Sequence, residues 1–208
     1  MTVANVAETN TIPFVLRAVR EATGTAHGRL EARMPFARQH LSHALYRRLI
    51  EAYHGFYAEL EGRLQAFAGE APLLAGRLKT PVLLRDLQAL GVDSALAERL
   101  PRPRRLPQVT SHADWMGVMY VLEGATLGGQ VLKRLMHERL AIDADNGGAF
   151  LDVYGVDTGR RWRAFLAELT QIEAPEQVRR VSAAALDTFL CFEAWLDHNQ
   201  LLHDAEPT

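Results

Sequence analysis

The stretch Trp115–Met136, WMGVMYVLEGATLGGQVLKRLM, decides the fold. It contains no proline, and Met119, Leu122, Leu127, Val131 and Leu135 recur at the three- and four-residue spacing of one helix face. Yet Gly124, Gly128 and Gly129 interrupt it, each costing about 1 kcal/mol relative to alanine in a helix interior. Some interaction must offset that cost. A glycine lets another surface approach the backbone, or lets the helix bend. Two readings follow from the residues: close packing against a neighbouring helix, or a helix that bends over a flat ligand and presents bare backbone to it.

The rest of the chain bounds these readings. Its 208 residues, 48% hydrophobic, suffice for one domain with a proper core. A formal net charge of -2 speaks against a nucleic-acid partner. No apolar run approaches the ~18 residues of a membrane span. The opening MTVANVAETNTIPF lacks the basic and apolar regions of a secretory signal. A cytoplasmic protein without a membrane partner is expected. The single cysteine, Cys191, lies between Leu190 and Phe192 and reads as a buried apolar filler.

Outward from the glycine-bearing helix, Ser111 opens it, with Asp114 three residues on, and DADNGG at 143–148 closes it after about Leu140. Before it, the spacing predicts helices over 13–33 and 42–67. Shorter ones follow from Thr80-Pro81 to about Leu90 and from Asp93 to Leu100. Pro13 suits a first helical turn. Val15, Val19, Ala22, Ala26 and Leu30 form the apolar stripe of the first helix. The second stripe runs from Leu45 through Tyr53 and Phe56 to Phe67. After the long helix, residues 149–157 read as a short turn. Helices over 158–172 and 175–202 complete the chain, the last with Val178, Val181, Ala185, Phe189, Phe192 and Leu196 on one stripe. No segment alternates with a period of two. The expectation is an all-α, single-domain bundle over 13–203, with seven or eight helices and a flexible tail over 1–12.

Chemistry concentrates on the first helix. Glu31 follows His27 by four residues, so the two side chains can meet. A carboxylate that holds one imidazole nitrogen fixes the tautomer and frees the other nitrogen for a metal. Arg20 shares that face with Thr23, two turns or roughly 10 Å before His27. A flat ligand with a central metal and carboxylates at its edge, such as haem, suits the separation. A solvated His–Glu pair of little energetic consequence has the same spacing. Glu51 and His54 have the Glu-x-x-His spacing of di-iron bundles, but no second copy exists.

LRAVREATGTAHGRLE, residues 16–31, resembles the first-helix signature of haem oxygenases, and YVLEGATLGGQVLKRL, residues 120–135, resembles their distal helix. The two motifs stand in the family's order, and the likeness extends more weakly through Arg163 and the last helix. The variant is similar to the bacterial branch associated with bacteriophytochromes. The resemblance implies a haem-oxygenase-like helical bundle with haem between the first helix and a kinked distal helix. It implies conversion of haem, both cofactor and substrate, to biliverdin, carbon monoxide and ferrous iron with dioxygen and external electrons. By that likeness His27 binds the iron and Glu31 orients it. Gly124, Gly128 and Gly129 expose backbone on the distal side. Arg20 and Arg163 meet the propionates, and Phe189 packs on the haem edge.

The resemblance also implies an electron donor such as a ferredoxin or a reductase, since the sequence has no flavin or nicotinamide motif. A bacteriophytochrome is the implied acceptor of biliverdin. One position departs from the family: Ala125 stands directly after the first distal glycine, where many members carry an aspartate that organises proton-delivering water. Glu123, one step back, is expected to point elsewhere. Two other readings share the fold. One is a non-catalytic haem-binding or haem-trafficking protein, motivated by Ala125. The other is a haem-free enzyme like the thiaminase-like relatives.

Overall fold

In the computed structural model, which describes residues 12–37, 41–69 and 71–204, the helices begin where the polar side chains can satisfy free backbone N–H groups. The elements are α1 (Phe14–Arg33), α2 (His43–Ala68), α3 (Thr80–Ala89), α4 (Ser94–Glu98), α5 (His112–Leu140), α6 (Thr158–Leu169) and α7 (Pro175–His198). Short 3-10 turns at Pro35–Ala37, Pro72–Leu74, Ala149–Asp152 and Gly155–Asp157 join them. No strand occurs among the described residues. Among the described residues no helix is long and apolar enough to cross a membrane. The tail read over 1–12 lies, except for Ile12, outside the described residues.

Ser42, Asp93 and Ser111 cap α2, α4 and α5, accepting from the amides of Leu45, Leu96 and Asp114 at 3.2, 2.8 and 3.2 Å. Pro13 is not in the first turn of α1. It stands just before it and accepts from Leu16 and Arg17 through its carbonyl. Nor does Thr80 cap α3 with its own side chain. Glu61 of α2 does so across the fold, accepting from the amides of Lys79 and Thr80 at 2.6 and 3.0 Å. α5 ends at Leu140, as expected, where Ala141 turns left-handed at φ 52° ahead of the DADNGG stretch. α4, α6 and α7 end at Glu98, Leu169 and His198, earlier than their periodicity predicts.

One apolar cluster joins all seven helices. α1 and α5 both pack along α7 and far less on each other. The α5–α7 crossing is tight at Gly117, where a Cβ would fall on the Val181 carbonyl oxygen and lie 2.9 Å from the Ala184 methyl. Two expected stripes are redrawn. On α1, Thr23 is buried, donating to the Val19 carbonyl at 2.7 Å, and Ala22 is half-exposed. On α2, Phe67 is exposed, while Tyr46, Tyr57 and Glu61 are buried.

Candidate functional site

Because α1 and α5 lean on α7 rather than on each other, a gap stays open between them. It forms a cavity of about 620 Å³, within the range of small-molecule sites. α1 lines it with Thr23, His27, Leu30 and Glu31, and α7 with Thr188, Phe189 and Phe192. α5 lines it with the run from Tyr120 to Leu122, then Gly124, Ala125, Leu127, Gly128, Val131, Leu132 and Leu135. The apolar residues of α5 therefore serve two surfaces. Met119 and Leu122 enter the core, while Leu127 and Val131 remain 41% and 71% exposed around the cavity.

His27 Nε2 lies 3.2 Å from Glu31 Oε1, and both side chains are open to solvent. That contact occupies one ring nitrogen and leaves the other without a hydrogen-bond partner among the described residues. The Phe189 ring lies 5.2 Å from the imidazole at 47°. Two residues beyond His27, Arg29 grips Glu193 of α7 with Nε at 2.9 and 3.0 Å from the two carboxylate oxygens. Arg33 adds Nη1 at 2.9 Å. The hydrogen bonds from Arg29, with those from Arg33, hold the Glu193 carboxyl below the usual carboxylate range. This clamp fixes α1, and hence His27, against α7.

The three glycines divide. A Cβ on Gly128 would meet nothing within 4 Å, and one on Gly124 would make ordinary contact with Trp162 at 3.7 Å. Both line the cavity. Gly129 is buried and does not line it. Its Cβ would lie 2.6 Å from the Leu151 carbonyl oxygen. The close approach of the 149–152 turn accounts for a glycine at 129, which lines a smaller space beside the main cavity rather than the main cavity itself. That turn is held in turn by Asp86, which accepts from the amides of Ala149 and Phe150 at 2.9 and 2.7 Å. Gly129→Ala should destabilise the fold by about 1–3 kcal/mol, since backbone cannot yield as a side chain does. Gly128→Ala should stabilise it by up to about 1 kcal/mol. Thermal denaturation of the two variants checks the division, and equal effects would contradict it.

Arg20 and Arg163 are both exposed and lie outside the cavity lining. Neither has an ion-pair partner among the described residues. The structure brings together His27, Glu31, Phe189, Gly124 and Gly128, and leaves Arg20, Arg163 and Gly129 apart from them. It adds walls that periodicity did not single out, Tyr57 of α2, Tyr120 of α5 and Trp162 of α6, and brings in Tyr53 from the expected α2 stripe. The Tyr120 and Trp162 rings are 5.6 Å apart.

Behind α5, Glu123 does point away from the cavity, as expected. It is 1% exposed, paired with Arg77 and Lys79, and accepts from the Tyr154 hydroxyl at 2.9 Å. Burial pushes the Lys79 ammonium below its ordinary value, against the opposite pull of Glu123. Burial, reinforced by Glu123, raises the Tyr154 phenol. Nothing in the spacing of Arg77, Lys79 and Glu123 signals this cluster, because Glu123 lies more than 40 residues from either cation.

The heme oxygenase family model matches residues 15–198. A protein named "Heme oxygenase" from Xanthomonas campestris pv. campestris (strain 8004) is 30% identical over 106 residues, covering 48% of this chain and 58% of that relative. Among solved structures, the heme oxygenase of Leptospira interrogans superposes with a TM-score of 0.69 at 19% identity, covering 88% of this chain and 98% of that one. The NO- and CO-bound heme oxygenase of Neisseria meningitidis gives 0.67 at 18% identity, covering 94% and 96%. Heme oxygenase 2 of Chlamydomonas reinhardtii, without heme, gives 0.63 at 19%, covering 90% and 98%. At these identities the structural likeness establishes the fold.

Proposed function

The chain belongs to the haem oxygenase family, and from that premise we propose that it converts haem to biliverdin, carbon monoxide and ferrous iron. The observation that carries the reading is one apolar cavity with His27 on α1 and the side-chain-free backbone of Gly124 and Gly128 on α5. A flat apolar ligand fits this arrangement. It covers Leu127 and Val131, which the fold leaves exposed, and it meets a histidine with one nitrogen uncommitted. When bound, haem supplies the iron that takes up dioxygen and the macrocycle that is opened.

The chain's own residues bind, orient and exclude. His27 ligates through the nitrogen that Glu31 does not hold, and Glu31 fixes the ring's tautomer. Phe189, Phe192 and Leu30 keep water from the edge and the α1 side of the cavity. Gly124 and Gly128 leave room on the α5 side, where any larger side chain would crowd a small ligand. Arg20 and Arg163, exposed guanidiniums on α1 and α6, suit the propionates and would set the rotation of the ring.

Electrons come from an external donor, a ferredoxin or a reductase. A bacteriophytochrome is the acceptor that the distal-helix variant suggests for the product, with the cytoplasm as the setting. The match covers only 58% of the curated relative's length, so partners rest on the sequence motifs.

Purified protein mixed with one equivalent of hemin should develop a Soret band. Ascorbate in air should then convert that band to biliverdin absorption. A Soret band that survives the reductant would point to a haem carrier. No Soret shift at all would overturn the reading and leave a haem-free enzyme of this fold.

A further inference from the structure

Next to the main cavity lies a second, of about 50 Å³, large enough for more than one water. The two share five lining residues: Tyr53, Tyr57, Leu122, Ala125 and Leu132. The far wall of the small cavity includes Lys79, the only ammonium or guanidinium among the lining residues of either. We propose that Lys79 supplies protons to the α5 side of the main cavity, through water in the small one, and is itself recharged through Glu123 and Tyr154. The inference rests on the haem oxygenase reading above.

The chemistry demands such a source. Dioxygen atoms not kept in the products leave as water, which consumes protons. Around Ala125 the α5 residues facing the main cavity offer none: Gly124, Ala125, Leu127, Gly128 and Val131 carry no acid, and the Tyr120 phenol is the one ionisable group that α5 contributes to the described lining. The Thr126 hydroxyl is committed to the Glu123 carbonyl at 2.6 Å. The titratable groups around the main cavity are His27 and Glu31 on α1, Tyr53 and Tyr57 on α2, and Tyr120 on α5. The first two belong to the iron ligand, and burial raises the Tyr53 and Tyr57 phenols, which makes them poor acids. Their hydroxyls have no hydrogen-bond partner in the protein among the described residues, so they are available to hold water between the two cavities.

Lys79 has the opposite character. Its burial makes the ammonium readier to release a proton. In the step, a Lys79 N–H bond breaks and the proton joins a water in the small cavity. That water passes one of its own protons past Ala125 into the main cavity. The neutral amine then takes a proton from Glu123 as Glu123 takes one from the Tyr154 hydroxyl and Tyr154 takes one from surface water, so that no phenolate is left behind. Tyr154 is half-buried, and the Arg161 guanidinium covers its ring at 4.5 Å, so the string ends near the surface.

The test compares Lys79→Met and Lys79→Arg with the unaltered protein, each loaded with haem. Methionine removes the charge and the proton. Arginine keeps the charge but does not release its proton. A cation favours ionisation nearby. Lys79→Met should therefore raise the pH midpoint between the acid and alkaline spectra of ferric haem by about one unit, and Lys79→Arg should leave it in place. Both should slow biliverdin formation by about tenfold or more, less than the 10²–10⁴ of a direct donor because bulk water substitutes.

An unmoved midpoint in Lys79→Met, or wild-type turnover in Lys79→Arg, would overturn the proposal. Should neither variant keep the normal Soret band, Tyr154→Phe decides: turnover slowed about tenfold upholds the relay, and turnover at the wild-type rate overturns it. Normal turnover in these variants would remove the relay and leave the haem oxygenase reading intact. An unaltered protein that binds no haem would remove both.

Discussion

His27→Ala should leave a protein that folds as before and no longer gives haem a nitrogen ligand. The side chain is 54% exposed, and its contacts are Glu31 and the Phe189 ring. Its removal thus opens no core cavity, and stability should stay within about 0.5 kcal/mol. The function should respond very differently. Loss of a residue that only orients a metal ligand lowers affinity or activity by about 10–100-fold. Loss of the ligand itself should exceed that range and bring biliverdin formation to background.

Glu31→Gln belongs at the lower end of the same range, because Glu31 is 69% exposed and water can replace it on the ring. Hemin titration followed in the Soret region separates the two: a weakened or displaced band for His27→Ala, a nearly normal one for Glu31→Gln. A normal Soret band and undiminished turnover in His27→Ala would remove His27 from the site. Added imidazole should restore ligation in the alanine variant, which a merely structural residue would not allow.

Glu123→Ala should have the largest effect on stability. It strips the carboxylate from two buried cations, Arg77 at 7% and Lys79 at 1% exposure. It also takes the acceptor from the Tyr154 hydroxyl. Breaking a buried ion pair by removing one partner costs about 3–5 kcal/mol, because the remaining charge loses both water and counter-charge. In a chain of this length that lowers the melting temperature by roughly 10 °C. Glu123→Gln keeps the shape and one acceptor oxygen and should cost less. Thermal denaturation of the two variants measures the difference. An alanine variant within about 0.5 kcal/mol of the parent would mean that the cluster is solvated in the native protein. Glu61, another buried carboxylate, is already engaged in capping α3, although its charge also favours the Lys79 ammonium.

The helices were legible because their signals are local. Ser42, Asp93 and Ser111 sit within three residues of the amides they satisfy, and Pro175 opens α7 where it stands in the chain. The His27–Glu31 contact follows from a four-residue spacing on a single helix. The motifs around it and around Gly124 carried the family, which the match over 15–198 bears out.

Tertiary structure decided which face of each helix meets what. Periodicity groups Leu127 and Val131 with Met119, and Phe189 and Phe192 with Val181 and Leu196. Only the separation of α1 from α5 turns the first of each set into cavity wall and the second into core. Gly124, Gly128 and Gly129 are alike in sequence. The turn at 149–152, held by Asp86, makes Gly129 a packing residue and leaves the other two open.

Glu61 capping α3, and Glu123 between Arg77 and Lys79, join residues many turns apart. Helical spacing constrains neighbours within about one turn of a chain. Contacts between helices depend on how the helices cross, so side chains distant in sequence met only when the bundle closed.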